Sequence, residues 1–551
     1  MFGTGTYDFL ESLVSDILYG CRLGLGPLAP LDKLSTTPAH WLKSPRHAAF
    51  ILDKIIKELK AAILVPSDEQ PLYFINFFAV PKKGEDGKMS ALRLVRHASY
   101  AAPDCVSLND CILQLHASIP TMPKLRDYAR LMAGKNWLAM RDLKDAFRQL
   151  ALHRDEWKYC GYSLFGLWYV DRAVAYGVSS AAAACQRFSE LVARIFTNVS
   201  IRPRANRRDV SHCTANILAY IDDFVLAAVE RADVRELERR FDILLRHLRV
   251  QQSHHKRIRV RASGIAYGWH WNLRTQRVSI PTEKLEDMKR HVLFVIYHRT
   301  MNVRMLKSLN GRIMHYSQIS GLAKACLWHS TQVVCRILDQ RGYSDDDIIH
   351  VPISIVRQWC FWYLLLPHIS TAPIASLLTT PSVDVYGSSD ASTTGAGYIV
   401  GPYWAHYLFP AGTCDGWHIN HKELHVLLTM VRNLGRTYHG RYIHMYVDSQ
   451  SVVGSFARRW SSSPHQMSLL WELLLTMHQY RMLLYLEWIP TYMNIAADHL
   501  SRQRIDDFHH HIDIHQWIIR KQPCSKPVSF ELLFPFMTAS DAEEFEQFKA
   551  W

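Results

Sequence analysis

The segment Ala219–Leu226 reads Ala-Tyr-Ile-Asp-Asp-Phe-Val-Leu and places two adjacent carboxylates, Asp222 and Asp223, between two apolar runs. The flanking residues favour β-strands, whereas aspartate is depleted in strands and is common in tight turns. This pattern predicts a β-hairpin with both acids at its tip. The alternative is an ordinary surface turn that happens to contain two aspartates.

A third acid is a candidate partner for this pair. Carboxylates next to a hydrophobic core repel each other, and their burial is costly unless a cation neutralises them. Asp142 ends another apolar run, Trp137–Asp142, and could complete such a site. Because Mg²⁺ takes oxygen ligands and often bridges protein carboxylates to substrate phosphates, the three acids predict a magnesium site for phosphate chemistry.

The composition indicates a large folded protein with a polyanionic partner. The 551 residues suggest roughly three or four domains, and 48% hydrophobic residues argue against extensive disorder. The excess of 64 Lys and Arg over 50 Asp and Glu gives a formal charge of +14. That charge favours nucleic acid as a partner, and a merely basic soluble protein is the alternative.

Cysteine usage and hydropathy bear on the compartment. The 11 cysteines contain no C-x-x-C pair, which predicts reduced thiols. No apolar run approaches the ~20 residues of a membrane helix, and no signal-peptide pattern opens the chain. We therefore expect an intracellular protein of the cytoplasm or nucleus that is not bound to a membrane.

Two further segments precede the Asp-Asp hairpin. An apolar run over residues 73–80, a charged turn with glycines and a second run predict a hairpin with a basic tip suited to phosphates. A solvated turn would explain the same charges. Tyr176 and Gly177 precede an alanine-rich segment, whose small side chains would allow another backbone or a base pair to approach closely.

In this order, an acid, a glycine-led helix and a Tyr-Ile-Asp-Asp hairpin resemble the palm of a reverse transcriptase. The resemblance implies that Asp142 and Asp222 bind two Mg²⁺ ions, or Mn²⁺, with Asp223 in support. It also implies that Phe147 excludes a 2′-hydroxyl from the incoming nucleotide, although a core aromatic is the alternative. The residues expected at the nucleotide are Lys82, Lys83, Arg93, Phe147, Tyr176, Gly177 and Gln186. Those expected along the primer and template are Lys256, Tyr267, Gly268 and Trp269.

Four acids beyond residue 381 form a second pattern. Asp390 and Asp448 end apolar strands, Glu423 lies in a helical segment, and Asp498 begins another. Each alone would be an ordinary polar residue, but their order and contexts resemble the ribonuclease H domain. The resemblance implies that Asp390, Glu423, Asp448 and Asp498 hold two metal ions that cleave RNA in an RNA–DNA hybrid. Many members of that family carry a histidine before the last Asp that takes part in proton transfer, whereas residues 490–497 contain none. The group that would transfer the proton here is therefore left open.

The resemblance also implies a fold class. We expect a multidomain chain of α+β and α/β type, with a right-hand polymerase of fingers, palm and thumb followed by a ribonuclease H-like mixed-sheet domain. The expected boundaries are 1–66 for an N-terminal helical extension, 67–250 for fingers and palm, 251–380 for thumb and connection, 381–505 for the ribonuclease H-like domain and 506–551 for a C-terminal tail.

Details such as Ser-Ser-Ala-Ala-Ala-Ala-Cys at 179–185 and Ala-Asp-His-Leu-Ser-Arg at 497–502 are most similar to DIRS-type retrotransposons. The implied activity copies retroelement RNA into DNA and degrades the RNA of the hybrid. The implied partners are an RNA template, a DNA primer, the RNA–DNA hybrid and deoxynucleoside triphosphates, with a tyrosine recombinase of the same element as a further one. A catalytically silent nucleic-acid-binding derivative and an RNA-dependent RNA polymerase are the alternatives.

Overall fold

The computed structural model describes residues 15–34, 44–82, 91–113, 124–198, 217–334, 342–378, 382–412, 414, 416–514 and 520–521. The chain divides into two compact units, residues 1–276 and 277–551. Both units contain helices and strands, so the mixed α and β composition is confirmed. Within the described part of the chain, no helix combines the length and apolar character that a membrane crossing requires.

The first unit contains short sheets and several helices, including the helical residues 15–19. Its strands are β1 Leu64–Ser67, β2 Asn76–Lys82, β3 Ala91–His97, β4 Trp137–Asp142, β5 Gly161–Leu164, β6 Leu167–Asp171, β7 Ile217–Tyr220, β8 Asp223–Ala228, β9 Ile258–Arg261, β10 Ser263–Ala266 and β11 Trp269–Asn272. Its helices are α1 Pro45–Lys60, α2 Leu125–Met132, α3 Ala181–Asn198 and α4 Arg231–His247.

The central sheet of this unit has the strand order β7-β8-β4-β9, and all its pairings are antiparallel. Helix α4 packs on β8 and β4, and α3 packs on β7. Residues Phe224–Ala228 are fully buried as a result, and burial of each large apolar side chain contributes about 1.5–3 kcal/mol. The predicted Asp-Asp hairpin is confirmed, since β7 and β8 are joined by a tight turn.

A buried ionic network fixes the segment that follows β4. The Arg148 guanidinium donates to Asp171 at 2.6 Å and to Glu58 at 3.0 Å. Glu58 also accepts from Arg96 of β3, and the Tyr162 hydroxyl donates to Asp171 at 2.9 Å. Removal of one partner of such a buried pair typically costs about 3–5 kcal/mol. The network therefore ties α1, β3, β5 and β6 to the turn that carries Phe147.

The second unit is described by ten strands and ten helices. The strands are β12 Arg277–Ser279, β13 Thr300–Asn302, β14 Ile348–His350, β15 Thr371–Pro373, β16 Val385–Ala391, β17 Gly395–Val400, β18 Tyr403–Leu408, β19 Tyr442–Val447, β20 Leu483–Trp488 and β21 Arg520–Lys521. The helices are α5 Thr282–His298, α6 Val303–Tyr316, α7 Gly321–Ala325, α8 Trp328–Gln332, α9 Ile353–Ile369, α10 Ile419–Leu434, α11 Gln450–Arg458, α12 Pro464–Gln479, α13 Ile495–Ser501 and α14 Ile505–Ile514.

A mixed six-stranded sheet organises the second unit, with the order β20-β19-β16-β17-β18-β21. Strands β16, β19 and β20 run parallel, whereas β16, β17 and β18 form an antiparallel meander. Helix α13 lies so close to β17 that a Cβ at Gly397 would stand 2.2 Å from the Leu500 side chain. The parallel pairing brings the carboxyl ends of β16 and β19 together, and two of the predicted acids lie there.

Candidate active sites

The first cluster consists of Asp142, Asp222 and Asp223, which the structure brings to one end of the central sheet. Asp142 is the last residue of β4 and lies directly opposite Asp223, the first residue of β8. The Leu143 amide donates to the Asp222 carbonyl at 2.9 Å, which ties the hairpin turn to the end of β4. Backbone pairing alone therefore places acids from two distant segments side by side.

Helix α3 holds the turn that carries Asp222. Ile221 has a φ of +52°, a left-handed conformation that is strained for a β-branched residue. The side-chain Oε1 of Gln186 accepts from the Ile221 amide at 2.7 Å, and the Ser189 hydroxyl donates to the Ile221 carbonyl. Gln186 also donates to the Ala219 carbonyl at 3.4 Å. Gln186 thus positions the hairpin backbone, while its predicted contact with the nucleotide stays a prediction.

The three acids are electrostatically strained. Burial, with Asp222 and Asp142 as further causes, raises the pKa of Asp223 to about 7. Burial and the Asp142 charge also raise the pKa of Asp222. The Oδ2 atom of Asp142 is buried and has no hydrogen-bond partner among the described residues. Because buried carboxylates need neutralisation, the free oxygen and the mutual repulsion fit a divalent cation.

Lys256 supplies one positive charge to this cluster. Its Nζ lies 2.7 Å from Asp142 Oδ1, and its side chain is about half exposed. The Ser253 amide donates to the Asp142 carbonyl at 2.8 Å, which brings the segment before Lys256 against the end of β4. Although burial opposes it, the hydrogen bond to Asp142 and the nearby carboxylates hold the pKa of Lys256 above its usual value. Its predicted role along primer and template stays a prediction.

Phe147 and Tyr176 form an aromatic pair near the acids. Phe147 lies in the 3-10 turn Ala146–Gln149, and its ring meets that of Tyr176 edge to face at 4.7 Å between centroids. Burial, Asp145 and Asp222 raise the pKa of Tyr176. These two residues, predicted to contact the nucleotide, are therefore neighbours of each other, and Tyr176 lies within electrostatic reach of Asp222.

Gly177 is required by a close approach of two chain segments. Its φ is +94°, and a Cβ there would stand 2.0 Å from the Arg96 carbonyl oxygen of β3. The Asn109 side-chain amide donates to the Gly177 carbonyl at 2.9 Å and fixes the same junction. The small residue therefore serves packing against β3, and its predicted nucleotide contact is untested.

The other nucleotide candidates lie on the β2–β3 hairpin, a hairpin that the sequence predicted. Arg93 is exposed and faces Val80 across the pair, and Lys82 pairs with Ala91 at the end of the hairpin. Lys83 lies outside the described residues. Among the contacts described, none joins Arg93 to the three acids.

The segment Tyr267–Trp269 packs beside the hairpin strand β7. Tyr267 and Gly268 both have positive φ, as a two-residue turn between β10 and β11 requires. The Tyr267 hydroxyl donates to the Leu218 carbonyl at 2.6 Å, and its ring stacks on Tyr128 at 4.3 Å. Trp269 is fully buried. The structure places Tyr267 as a support of β7, and the contacts of Tyr267, Gly268 and Trp269 with the primer stay predictions.

The second cluster contains Asp390, Glu423 and Asp448. One carboxylate oxygen of each lies within 4.8 Å of the others. Asp390 is near the end of β16, Glu423 is in α10, and Asp448 follows β19 directly. Ser449 caps α11 by accepting from the Val452 amide at 3.3 Å, so the chain turns sharply after Asp448.

Neutral donors hold this second group. The Ala391 amide donates to Glu423 Oε1 at 2.9 Å, the Thr491 hydroxyl to Asp448 Oδ2 at 2.8 Å, and the Ser501 hydroxyl to Asp390. Glu423 Oε2 is buried and without a hydrogen-bond partner in the described part of the chain.

The charges of this group repel one another as well. Burial raises the pKa of Asp390 to about 6, and the charges of Asp448 and Asp498 add to that rise while the Ser501 hydroxyl opposes it. Burial and Asp390 raise the pKa of Glu423 well above its usual value. A buried free oxygen and three converging carboxylates fit a divalent cation here too.

Asp498 stands apart from these three acids. It lies in α13, and its Oδ1 accepts from the Arg502 guanidinium at 2.6 Å. It is not one of the three residues whose oxygens converge within 4.8 Å. Its charge still contributes to the raised pKa of Asp390. The structure therefore brings together three of the four predicted ligands, and the role of Asp498 stays a prediction.

Sequence reasoning missed the residues that orient the acids. Ser189, Thr491 and Ser501 donate to the turn or to the carboxylates but carry no pattern of their own. Only Ser501 had a local signal, because it lies three residues after Asp498 and thus on the same helix face.

No protein-family model matches the chain, and no curated protein matches it. Solved structures with a similar chain path are of foamy viral protease-reverse transcriptase. One, the dRH form in complex with double-stranded DNA, is 14% identical, with a TM-score of 0.49 over 84% of this chain and 73% of that chain. Another, in complex with double-stranded DNA, is 14% identical, with a TM-score of 0.47 over 88% and 94%. A third, in complex with RNA/DNA hybrid, is also 14% identical, with a TM-score of 0.46 over 84% and 56%. At this identity and with TM-scores below 0.5, we transfer neither activity nor site residues from these proteins. None of them bears on the DIRS group.

Proposed function

We propose that the chain is an RNA-directed DNA polymerase with ribonuclease H activity. The observation that carries this proposal is that two separate carboxylate clusters each leave a buried oxygen atom without a hydrogen-bond partner in the described chain, on Asp142 and on Glu423. Such orphaned oxygens are costly in a folded protein unless a cation neutralises them. Two cation sites in one basic chain suit two phosphoryl-transfer reactions on nucleic acid.

In the first cluster, Asp142, Asp222 and Asp223 would hold Mg²⁺ or Mn²⁺. When bound, these ions lower the pKa of a hydroxyl nucleophile and neutralise phosphate charge. The chain itself contributes orientation: Gln186 and Ser189 fix the Asp222 turn, and Lys256 pairs with Asp142 Oδ1. Phe147, held edge-on by Tyr176, would lie under the sugar and exclude a 2′-hydroxyl. The substrates would be an RNA template, a DNA primer and deoxynucleoside triphosphates.

In the second cluster, Asp390, Glu423 and Asp448 would hold the metal, and Thr491, Ser501 and the Ala391 amide would keep their oxygens converging. Asp498 would join them once its ion pair with Arg502 opens. The substrate would be the RNA strand of an RNA–DNA hybrid, which 2′-hydroxyl groups and groove shape distinguish from DNA. The loop before Asp498 carries no histidine that could transfer a proton. The leaving group would therefore take its proton from solvent.

Primer extension tests the polymerase half. Purified protein with Mg²⁺, an RNA template and a DNA primer should extend the primer with deoxynucleotides and not with ribonucleotides. Asp222→Asn should lower the rate about a hundredfold or more, because it removes a charge that the metal ions require. Asp127→Asn, at an exposed residue paired with Arg130, is the matched control and should extend normally. Extension that survives Asp222→Asn would refute the assignment, and preferred ribonucleotide use would indicate an RNA-dependent RNA polymerase.

The Lys256–Asp142 ion pair favours a second candidate, a catalytically silent nucleic-acid-binding derivative, because an ammonium already occupies one carboxylate oxygen. Titration with Mn²⁺, followed by electron paramagnetic resonance, separates the two. An enzyme should bind Mn²⁺ at the first cluster, whereas a silent derivative should not. An origin in a DIRS-type element would be supported by a tyrosine recombinase gene next to this coding sequence.

A further inference from the structure

An aromatic face lies on the six-stranded sheet of the second unit, formed by Tyr386, His444, Tyr446 and Tyr485. The strand register places Tyr386 of β16 opposite His444 of β19, and His444 opposite Tyr485 of β20. The Tyr386 and His444 rings are 5.2 Å apart, and the His444 and Tyr485 rings 4.9 Å apart. Tyr446 lies 4.8 Å from His444 and is nearly parallel to Tyr386. Three adjacent strands thus present one continuous surface of rings.

This aromatic face is open to solvent. Tyr386 is 56% exposed and Tyr485 47% exposed, and Leu483 beside them on β20 is exposed as well. Successive residues of a strand point to opposite faces, so Tyr386 shares its face with Asp390. Over the neighbouring strand β17, helix α13 covers that face. Connected exposed rings of this kind mark interaction surfaces rather than ordinary surface composition.

The charges around the aromatic face are arranged asymmetrically. Arg441 and Arg481 are exposed at the amino ends of β19 and β20, and the Leu483 amide donates to the Arg441 carbonyl at 2.9 Å, so the two arginine segments are adjacent. Asp384, just before β16, pairs with Arg441 at 3.0 Å. At the other end of the face, Glu487 lies 2.7 Å from His444. The amino ends of these strands therefore carry two arginines against one carboxylate, and this net positive charge attracts a polyanion.

We infer that the aromatic face binds single-stranded nucleic acid, with unpaired bases stacked on the Tyr386 and Tyr485 rings and the phosphate backbone along Arg441 and Arg481. Stacking on exposed rings beside basic residues is how single strands are bound without sequence preference. A duplex hides its base faces, so it cannot use these rings. None of these four rings belongs to a carboxylate cluster, although they lie on the same sheet face as Asp390, and the inference does not depend on either activity.

Photo-cross-linking in EDTA tests the inference on the full chain. Single-stranded DNA containing 5-iododeoxyuridine and single-stranded RNA containing 5-iodouridine should both cross-link to peptides that carry Tyr386 or Tyr485. A duplex of the same sequence should not. If only the DNA or only the RNA cross-links to these peptides, that nucleic acid is the ligand. Cross-links that map only to other parts of the chain would overturn the proposal.

Variants separate stacking from folding. Tyr386→Ser with Tyr485→Ser should weaken single-strand binding in fluorescence anisotropy, by about fivefold or more for each ring removed. Tyr386→Phe with Tyr485→Phe keeps both rings and should retain the affinity. Leu408→Ser, at an exposed residue of β18 in the same sheet, is the control for loss of apolar surface. Equal affinities for all of these proteins would overturn the inference. It would also be overturned if light scattering showed that the Tyr386→Ser, Tyr485→Ser protein alone changes its oligomeric state, because the face would then join copies of the chain.

Discussion

The two carboxylate clusters solve the same electrostatic problem differently. In the first, a lysine ammonium stands 2.7 Å from Asp142 and offsets part of the repulsion among three acids. In the second, the described residues provide hydroxyl and amide donors to Asp390, Glu423 and Asp448, and no described Lys or Arg pairs with them. Arg502 pairs with Asp498 at the edge.

The difference indicates how each cluster depends on a metal. A cluster with its own cation keeps its arrangement in the metal-free protein, but a metal must compete with that cation. In a cluster held by neutral donors, no side-chain cation competes with the metal ion. When no metal is bound, the repulsion among its carboxylates is correspondingly stronger. We therefore expect the second cluster to bind metal more tightly and to be the less stable of the two without it.

The largest expected effect tests whether the clusters are two sites at all. Asp448→Asn should lower cleavage of RNA in a hybrid about a hundredfold or more, since it removes one of three converging ligands. Primer extension by the same protein should be unchanged. Gel assays of both activities on one preparation make the comparison, with Asp384→Asn, at a residue paired with Arg441, as the control. Loss of both activities would contradict the separation.

A pH effect of intermediate size should appear at the second cluster in EDTA. The folded-state pKa of Asp390, about 6, exceeds the ordinary value of an unfolded aspartate, so the folded protein prefers the protonated acid. Stability should be greatest below the unfolded pKa and fall as the pH rises through 6. It should fall further above pH 6, because Glu423, whose pKa is raised well above its usual value, ionises in turn. The loss should reach about 1–3 kcal/mol in the free energy of opening.

Hydrogen exchange of the β16 amides, corrected for the intrinsic pH dependence of exchange, measures this loss. Mg²⁺ should abolish it, and Asp390→Asn should remove the part of the loss that occurs as the pH rises towards 6. A stability of β16 that rises between pH 4.5 and 7 in EDTA would show that the acids are not strained as described.

The smallest expected effect concerns the internal cation of the first cluster. Lys256→Gln should strengthen Mn²⁺ binding there severalfold, because a competing charge is removed, and should destabilise the metal-free first unit by about 1 kcal/mol, as for a half-exposed pair. Mn²⁺ titration and hydrogen exchange of β4 and β8 report the two effects. Lys144→Gln, at an exposed lysine nearby, is the control. Unchanged Mn²⁺ affinity with weakened primer binding would instead support contact of Lys256 with the primer.

The sequence predicted what local patterns encode. The Asp-Asp hairpin and the β2–β3 hairpin follow from apolar runs interrupted by turn residues, and both are confirmed. Side-chain partners were not predictable, because they depend on segments that meet only in the folded chain. Lys256 and Asp142 are 114 residues apart, and their contact rests on a backbone bond from Ser253. Gln186 was predicted at the nucleotide for its place in a motif, but its hydrogen bonds run to the hairpin backbone and to Glu190.

The buried ionic network around Arg148 stabilises the 3-10 turn without help from the neighbouring Phe147 ring. Arg148 anchors the 3-10 turn through Asp171 and Glu58, so the adjacent Phe147 ring is not what keeps that turn in place. A smaller residue at 147 would thus be accommodated without collapse of its surroundings. The sugar discrimination proposed for Phe147 would consequently be free to drift in evolution, or to be redesigned, while the scaffold beneath it stays intact.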